Sequence, residues 1–313
     1  MVLPGTDAPR AIERSGDDSP ASSVWGFVWR MTGRAQIGVT CLAAIATIVS
    51  LAPIELQRRM IDDALPEGDA ELLLLLGALY LAMILLLQVL KFIVGMVTGW
   101  LAESTSVYVR AHLWRLRSGQ GSKDISSVML TEVDALAGFA GNAPGQFIAN
   151  VTMLLGALGY MFWVEPLVAL AGLCLIAPQA AFTPLVQRRL NIYVSTRLRL
   201  LRRFSASLEK GADLQEAEMQ SPLHNLFKAR LAFLWWKFLM KATLNALNAA
   251  APLGVLLVGG WLAIEGDTTV GVIVAFVGGF SRLGDPIRQL IAFYREAAEA
   301  SVRHDLLASW MKN

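Results

Sequence analysis

From Leu72 to Ala102 the chain runs LLLLLGALYLAMILLLQVLKFIVGMVTGWLA, an apolar stretch broken by one charge, Lys91. A helix rising about 1.5 Å per residue crosses roughly 30 Å of bilayer hydrocarbon in about 20 such residues. No water pairs with backbone N–H and C=O at that depth, so a spanning segment must satisfy them internally, as a helix does. The run therefore reads as a spanning helix, and other segments repeat the pattern. Residues 35–54, 72–98, 143–164, 167–186, 242–264 and the shorter 268–281 read as six spans. The sixth is accepted because an even number returns the charged C-terminal helix to the side of the other basic segments. The expected fold class is all-α: a polytopic membrane protein of six transmembrane helices with long cytoplasmic helical extensions. A hydrophobic content of 55%, a charged content of 17% and a mean hydropathy of +0.51 exclude the soluble globular class.

Every Lys and Arg except Arg58, Arg59 and Lys91 falls before the first span, in 103–133, in 188–241 or from 282 onward. The positive-inside rule places those segments, and both termini, in the cytoplasm. The outward turns are then short and acidic: Pro66-Glu67-Gly68-Asp69, Glu165-Pro166 and Glu265-Gly266-Asp267. Residues 1–23 are rich in Pro, Ser and Asp and read as a disordered tail without a signal-peptide core. With no organelle-targeting pattern, a bacterial inner or plasma membrane is expected. Trp25, Phe27 and Trp29 beside Arg30 and Arg34 suit the headgroup layer and read as an elbow helix over 24–33. Cys41 and Cys174 lie in apolar runs and read as packing residues, not as a disulfide or metal pair.

Two long connections face inward. Residues 188–241 carry charges at helical spacing with Gly211 as the main breaker, and 102–133 turns at Gly119-Gln120-Gly121-Ser122. Each reads as a pair of helical stalks that reach something in the cytoplasm. With IELQRRMIDDALPEGD at 54–69, LTEVDALAGF at 130–139 and VGVIVAFVGGFSRLGDPIRQLIAFY at 270–294, the order of these segments resembles the transmembrane domain of ABC exporters over about 24–311. The resemblance implies an ABC-exporter-like bundle that pairs as a homo- or heterodimer. It also implies an ABC ATPase subunit, or a full-length ABC half-transporter, as partner. This sequence holds no G-x-x-x-x-G-K-[ST] string, so it is expected to bind no cofactor itself; ATP and magnesium belong to the partner's nucleotide-binding domain. By resemblance, the loop tips at Gly121, Lys123 and Asp124 and at Asp213, Glu216 and Glu218 are the ATPase-contact candidates. The first inward connection is shorter than the family's, and the second tip is acidic where the family tends to be basic and aromatic.

Polar side chains at bilayer depth are costly and mark either a substrate path or interhelical hydrogen bonds. Gln88 and Lys91 share one helix face, Asn245 and Asn248 another, and Asn150 lies in the third span. Arg282, Asp285 and Arg288 recur every third residue beyond the sixth. These eight are the substrate-path candidates; the alternatives are hydrogen-bond glue for the Asn residues, snorkelling for Lys91 and ion pairing for the last three. His112, His224 and His304 lack metal-ligand spacing, and no hydrolase motif occurs. The basic stalks reflect topology and anionic headgroups, not nucleic acid. The expected function is the permease part of an ABC-type exporter, driven by ATP hydrolysis on a separate or partner-borne domain. The rival is a degenerate bundle that scaffolds or regulates a membrane complex. An ion-coupled carrier would place carboxylates at mid-membrane, where this chain has none.

The topology has a direct test. In a Cys41→Ser, Cys174→Ser background, Asp267→Cys should react with an impermeant maleimide from outside intact cells, and Ser195→Cys only after permeabilisation. The reverse pattern would invert the orientation.

Overall fold

The computed structural model describes residues 8–12, 21–117, 132–209 and 216–312, which are almost entirely helical and contain no strand. Seven helices are numbered here in chain order: α1 (Val24–Val49), α2 (Ala52–Arg59), α3 (Ala70–Arg117), α4 (Val133–Val164), α5 (Pro166–Glu209), α6 (Glu216–Glu265) and α7 (Val270–Lys312). A π-helical turn, Met60–Ala64, and a single α-turn, Leu65–Glu67, link α2 to α3. Among the described residues, six helical stretches are long and apolar enough to cross a membrane. The protein is a multi-pass membrane protein with an all-α fold. The window in α7 is the least apolar of the six, with a hydropathy of 1.4, and is 56% buried, against 35% or less elsewhere. A helix shielded by protein meets less lipid, so the weak hydropathy of the sixth span follows from its burial.

The tight turns follow from backbone chemistry. Gly68 (φ 66°) and Gly266 (φ 89°) adopt the left-handed conformation that ends a helix without a Cβ penalty. Asp69 then accepts the N–H groups of Glu71 (3.0 Å) and Leu72 (2.9 Å) and starts α3. Between α4 and α5 only Glu165 intervenes, and Pro166 at the first helical position loses no needed hydrogen bond. Inside α1, Gly33 breaks the helix (φ 53°, ψ −141°) and separates the elbow segment from the span.

The chain divides into two compact units. One comprises the chain through Val164 together with Thr269–Ala275 and Arg282–Asn313. Here α1, α3 and α4 pack on one another. Phe27, Val28 and Met31 of the elbow enter a core with Val109, Leu113, Leu136, Phe139, Ala140, Ala300 and Leu307. Trp25 and Trp29 stay about half exposed, as rings at a membrane interface do. Ala8–Ile12 lie against this unit. The Arg10 guanidinium donates to the Met31 carbonyl (2.9 Å), the Arg10 N–H to Ser104 Oγ (3.0 Å), and the Trp100 indole N–H to the Ala8 carbonyl (2.8 Å). Ile12 and Ala21 also pack against the core of this unit.

The second unit comprises Glu165–Thr268 with Phe276–Ser281. In it α5 and α6 form a long antiparallel pair. The Leu175 side chain covers Gly254 and the Phe280 ring covers Gly172. Cys41 and Cys174, expected to be packing residues, are instead free thiols on exposed faces. An apolar run does not say which of its faces looks outward, so packing was not readable there.

At the crossing of α3 and α4, a Cβ on Gly141 would lie 2.7 Å from the Thr98 carbonyl oxygen and 2.8 Å from the Ala102 nitrogen. Backbone cannot yield as a side chain can. Gly141→Ala should therefore cost about 1–3 kcal/mol by overpacking, seen as a lower unfolding midpoint in detergent. Gly138→Ala, where nothing lies within 4 Å of the added carbon, should have little effect on packing.

Candidate functional site

The first unit holds a charged cluster at the junction of α2 and the π-turn. Glu55, Arg58, Arg59 and Asp62 recur at three- and four-residue spacing, which places them within reach of one another on a helix. Arg58 forks onto Glu55, Nε to Oε2 at 2.8 Å and Nη2 to Oε1 at 2.7 Å. Arg59 Nε (2.9 Å) and the Tyr160 hydroxyl of α4 (2.7 Å) donate to the same carboxylate. Asp62 accepts the Thr269 hydroxyl (2.6 Å) and the Gly271 N–H (2.8 Å), which caps the start of α7. Four charges are thus neutralised where the chain leaves its apolar run, and α2 is tied both to α4 and to the beginning of α7. The sequence reading included no residue of this cluster among its site candidates, although Glu55 and Arg58 one turn apart were a visible signal.

The substrate-path candidates separate into groups. Asn150 is buried and donates to Gln289 Oε1 at 3.2 Å. Asn248 accepts from Gln179 Nε2 at 2.7 Å. Asn245 is exposed, as are Gln88 and Lys91. Arg282 donates to the Ser50 carbonyl (3.1 Å), and Asp285 and Arg288 pair with each other along α7. The ion-pairing alternative describes Asp285 and Arg288, whereas Arg282 meets a backbone carbonyl. Sequence reasoning missed the two glutamines that complete the carboxamide pairs, and a third: Gln36, whose two amide atoms are buried without a hydrogen-bond partner among the described residues. Each was legible as a carboxamide inside or beside an apolar run, but its pairing depends on helix rotation. Gly121, Lys123, Asp124 and Asp213 lie outside the described residues, and Glu216 and Glu218 occupy the first turn of α6.

Further along the first unit, α4 and α7 line an open cleft of ≈ 370 Å³. Phe139, Asn142 and Gln146 line one wall; Glu296, Glu299 and Arg303 line the other. Phe139 belongs to an aromatic cluster with Trp25 (5.7 Å between ring centroids) and Phe293 (6.3 Å), and Phe293 also meets Phe147 at 4.7 Å. The His304 ring, almost fully buried, packs edge-on against Phe27.

Residues 37–193, half of the chain, match the family model described as the ABC transporter transmembrane region. The chain belongs to this family. The match contains the Glu55 cluster, Asn150 and the α4 wall of the cleft, and it includes two of the three segments whose order carried the resemblance. YgaD of Bacillus subtilis (strain 168), whose name describes a candidate multidrug export ATP-binding/permease protein, is 41% identical over 56 residues. That stretch is 18% of this chain and 10% of YgaD, so the chain matches about a tenth of that relative's length.

In this ABC-type membrane region the Asp62 cap is open to test. Asp62→Ala leaves the Thr269 hydroxyl and the Gly271 N–H without their acceptor and should cost about 1–2 kcal/mol, the usual range for a lost helix cap. Asp62→Asn, which keeps an acceptor oxygen, should recover most of the loss in detergent unfolding. Equal losses in both variants would assign the effect to the charge beside Arg58.

Proposed function

We propose that the chain forms half of the translocation pathway of an ABC-type exporter, driven by ATP hydrolysis on a nucleotide-binding domain supplied by a partner or by further sequence. The family match over residues 37–193 carries this reading. The name of YgaD supports the direction of transport and places ATP binding and permease in one relative. Helix lengths support a coupling role. The 44 residues of α5 and 50 of α6 correspond to about 65 and 75 Å, far more than a bilayer requires. The excess forms two stalks whose tip, around Asp213, Glu216 and Glu218, is the proposed seat of the ATPase, together with the tip around Gly121, Lys123 and Asp124.

Pairing of two bundles accounts for a second observation. Gln88 and Lys91 on α3, and Asn245 on α6, are exposed at span level, where polar groups facing lipid are costly. A second copy or a related half-transporter would cover such faces and enclose a polar path between them. ATP binding would then shift the pair between inward-open and outward-open states by preferring one of them. The distribution of basic segments supports a cytoplasmic side for both termini, and a bacterial plasma membrane fits the source of the similar protein.

Purification of the tagged chain from its host in mild detergent, with mass spectrometry and an ATPase assay of the eluate, tests this reading. An ATP-binding partner with activity is expected. Recovery without any such partner or activity would favour a scaffold. In the reconstituted complex, Glu216→Ala with Glu218→Ala should reduce transport-coupled ATP hydrolysis about fivefold or more, a typical coupling free energy, without changing the unfolding midpoint. Unchanged hydrolysis would remove those residues from the contact.

A further inference from the structure

The seam between α5 and α6 holds polar groups whose hydrogen bonds do not close among themselves. Gln179 lies within the span read at 167–186 and is 1% exposed. Its Nε2 donates to Asn248 Oδ1 at 2.7 Å. Its Oε1 is buried and accepts no hydrogen bond from the described residues. Turning both carboxamides over would leave Nε2 in that place as a buried donor, so either arrangement calls for one more partner. A buried amide atom in hydrocarbon is costly until it has one.

Two further groups belong to this level of the seam. Pro252 stands inside α6, four residues after Asn248, and has no N–H to give to the Asn248 carbonyl. That carbonyl is part of the residue already in contact with Gln179, and Ala251 beside the proline is fully buried. On α5, Thr183 follows Gln179 by one turn on the same face and is also buried. Its hydroxyl pairs with none of the described residues. Apolar packing closes the seam on one side of these groups, where Leu175 covers Gly254 and Val255 is fully buried.

Two carbonyl oxygens and one hydroxyl are left over, and the two carbonyls cannot serve each other. All three groups are neutral, so a cation would find no counter-charge here, and an anion would face mostly acceptors. Water offers two O–H donors and accepts as well, and a buried water typically makes about three hydrogen bonds. We infer that a water molecule resides between α5 and α6, donating to Gln179 Oε1 and to the Asn248 carbonyl and accepting the Thr183 hydroxyl. It closes the node that the Gln179–Asn248 pair begins. Slid by one turn, the two helices would bury both carboxamides unpaired, so the closed node holds α5 and α6 in register. The site belongs to one helix pair and requires neither ATP nor a second bundle, so it stands apart from the export reading.

The test is solid-state NMR of the whole chain in liposomes, isotopically labelled at proline, glutamine and leucine, with magnetisation transferred from water protons. Pro178-Gln179 is the sole Pro-Gln pair in the sequence, so a proline-to-glutamine correlation assigns Gln179 without any variant. In the unaltered chain the Gln179 Cδ should receive water magnetisation at short mixing times, ahead of the buried leucine methyl carbons. Pro252→Ala restores an N–H to the Asn248 carbonyl, and Thr183→Val removes the hydroxyl at nearly constant volume. Each should lose a large part of the transfer to Gln179. Absence of early transfer in the unaltered chain, or a transfer undiminished in both variants, overturns the proposal. A contact from Gln179 Cδ to a protein N–H proton in place of water would give Oε1 a direct partner and overturns it equally. The spectrum of the unaltered chain decides the matter even where a variant does not fold.

Discussion

A backbone amide in hydrocarbon has no solvent to turn to, and the whole architecture depends on that constraint. The six apolar stretches are helical, so most of their N–H and C=O groups pair within their own helix, with exceptions at internal prolines such as Pro178 and Pro252, and the irregular backbone is confined to a few places where a specific residue makes it tolerable. Gly33 interrupts α1 beside the Arg10 guanidinium, which supplies a donor to the Met31 carbonyl. Gly68 and Gly266 end helices in the left-handed region. At the start of α7, Asp62 provides the acceptor that its first N–H groups lack.

The same economy governs charge. Glu55, Arg58, Arg59 and Tyr160 form one hydrogen-bonded cluster at the end of the first span, with Asp62 3.9 Å from Arg58, while Arg110 with Asp134 and Arg303 with Glu132 form ion pairs elsewhere in that unit. Exposed pairs of this kind contribute little stability each, and their larger effect is to set which helix faces meet. Carboxamides do the corresponding work at span level, Asn150 with Gln289 and Gln179 with Asn248.

The six spans were legible because hydropathy over about 20 residues records what a bilayer demands, and the turns were legible because Gly, Pro and Asp are required there. The family was legible from the order of three ordinary segments, none decisive alone. The site was only partly legible. Asn150 and Asn248 stood out as polar residues in apolar runs, but their partners Gln289 and Gln179 lie 139 and 69 residues away. Arg282, Asp285 and Arg288 stood out by their spacing along one helix, but the spacing did not show that Arg282 reaches the Ser50 carbonyl on another helix. Sequence spacing shows which residues share a helix face; it does not show what that face meets.

Sequence alone determined the number of spans, the expected sidedness of the basic segments and the absence of a phosphate-binding loop within these residues. All three depend on local composition or on short strings. Tertiary structure decided which polar groups are paired, that Cys41 and Cys174 are exposed, and that α4 and α7 line an open cleft. Those outcomes depend on how each helix is rotated about its axis against neighbours distant in sequence. Close contacts such as Gly141 against Thr98 and Ala102 set that rotation, and no single segment encodes it.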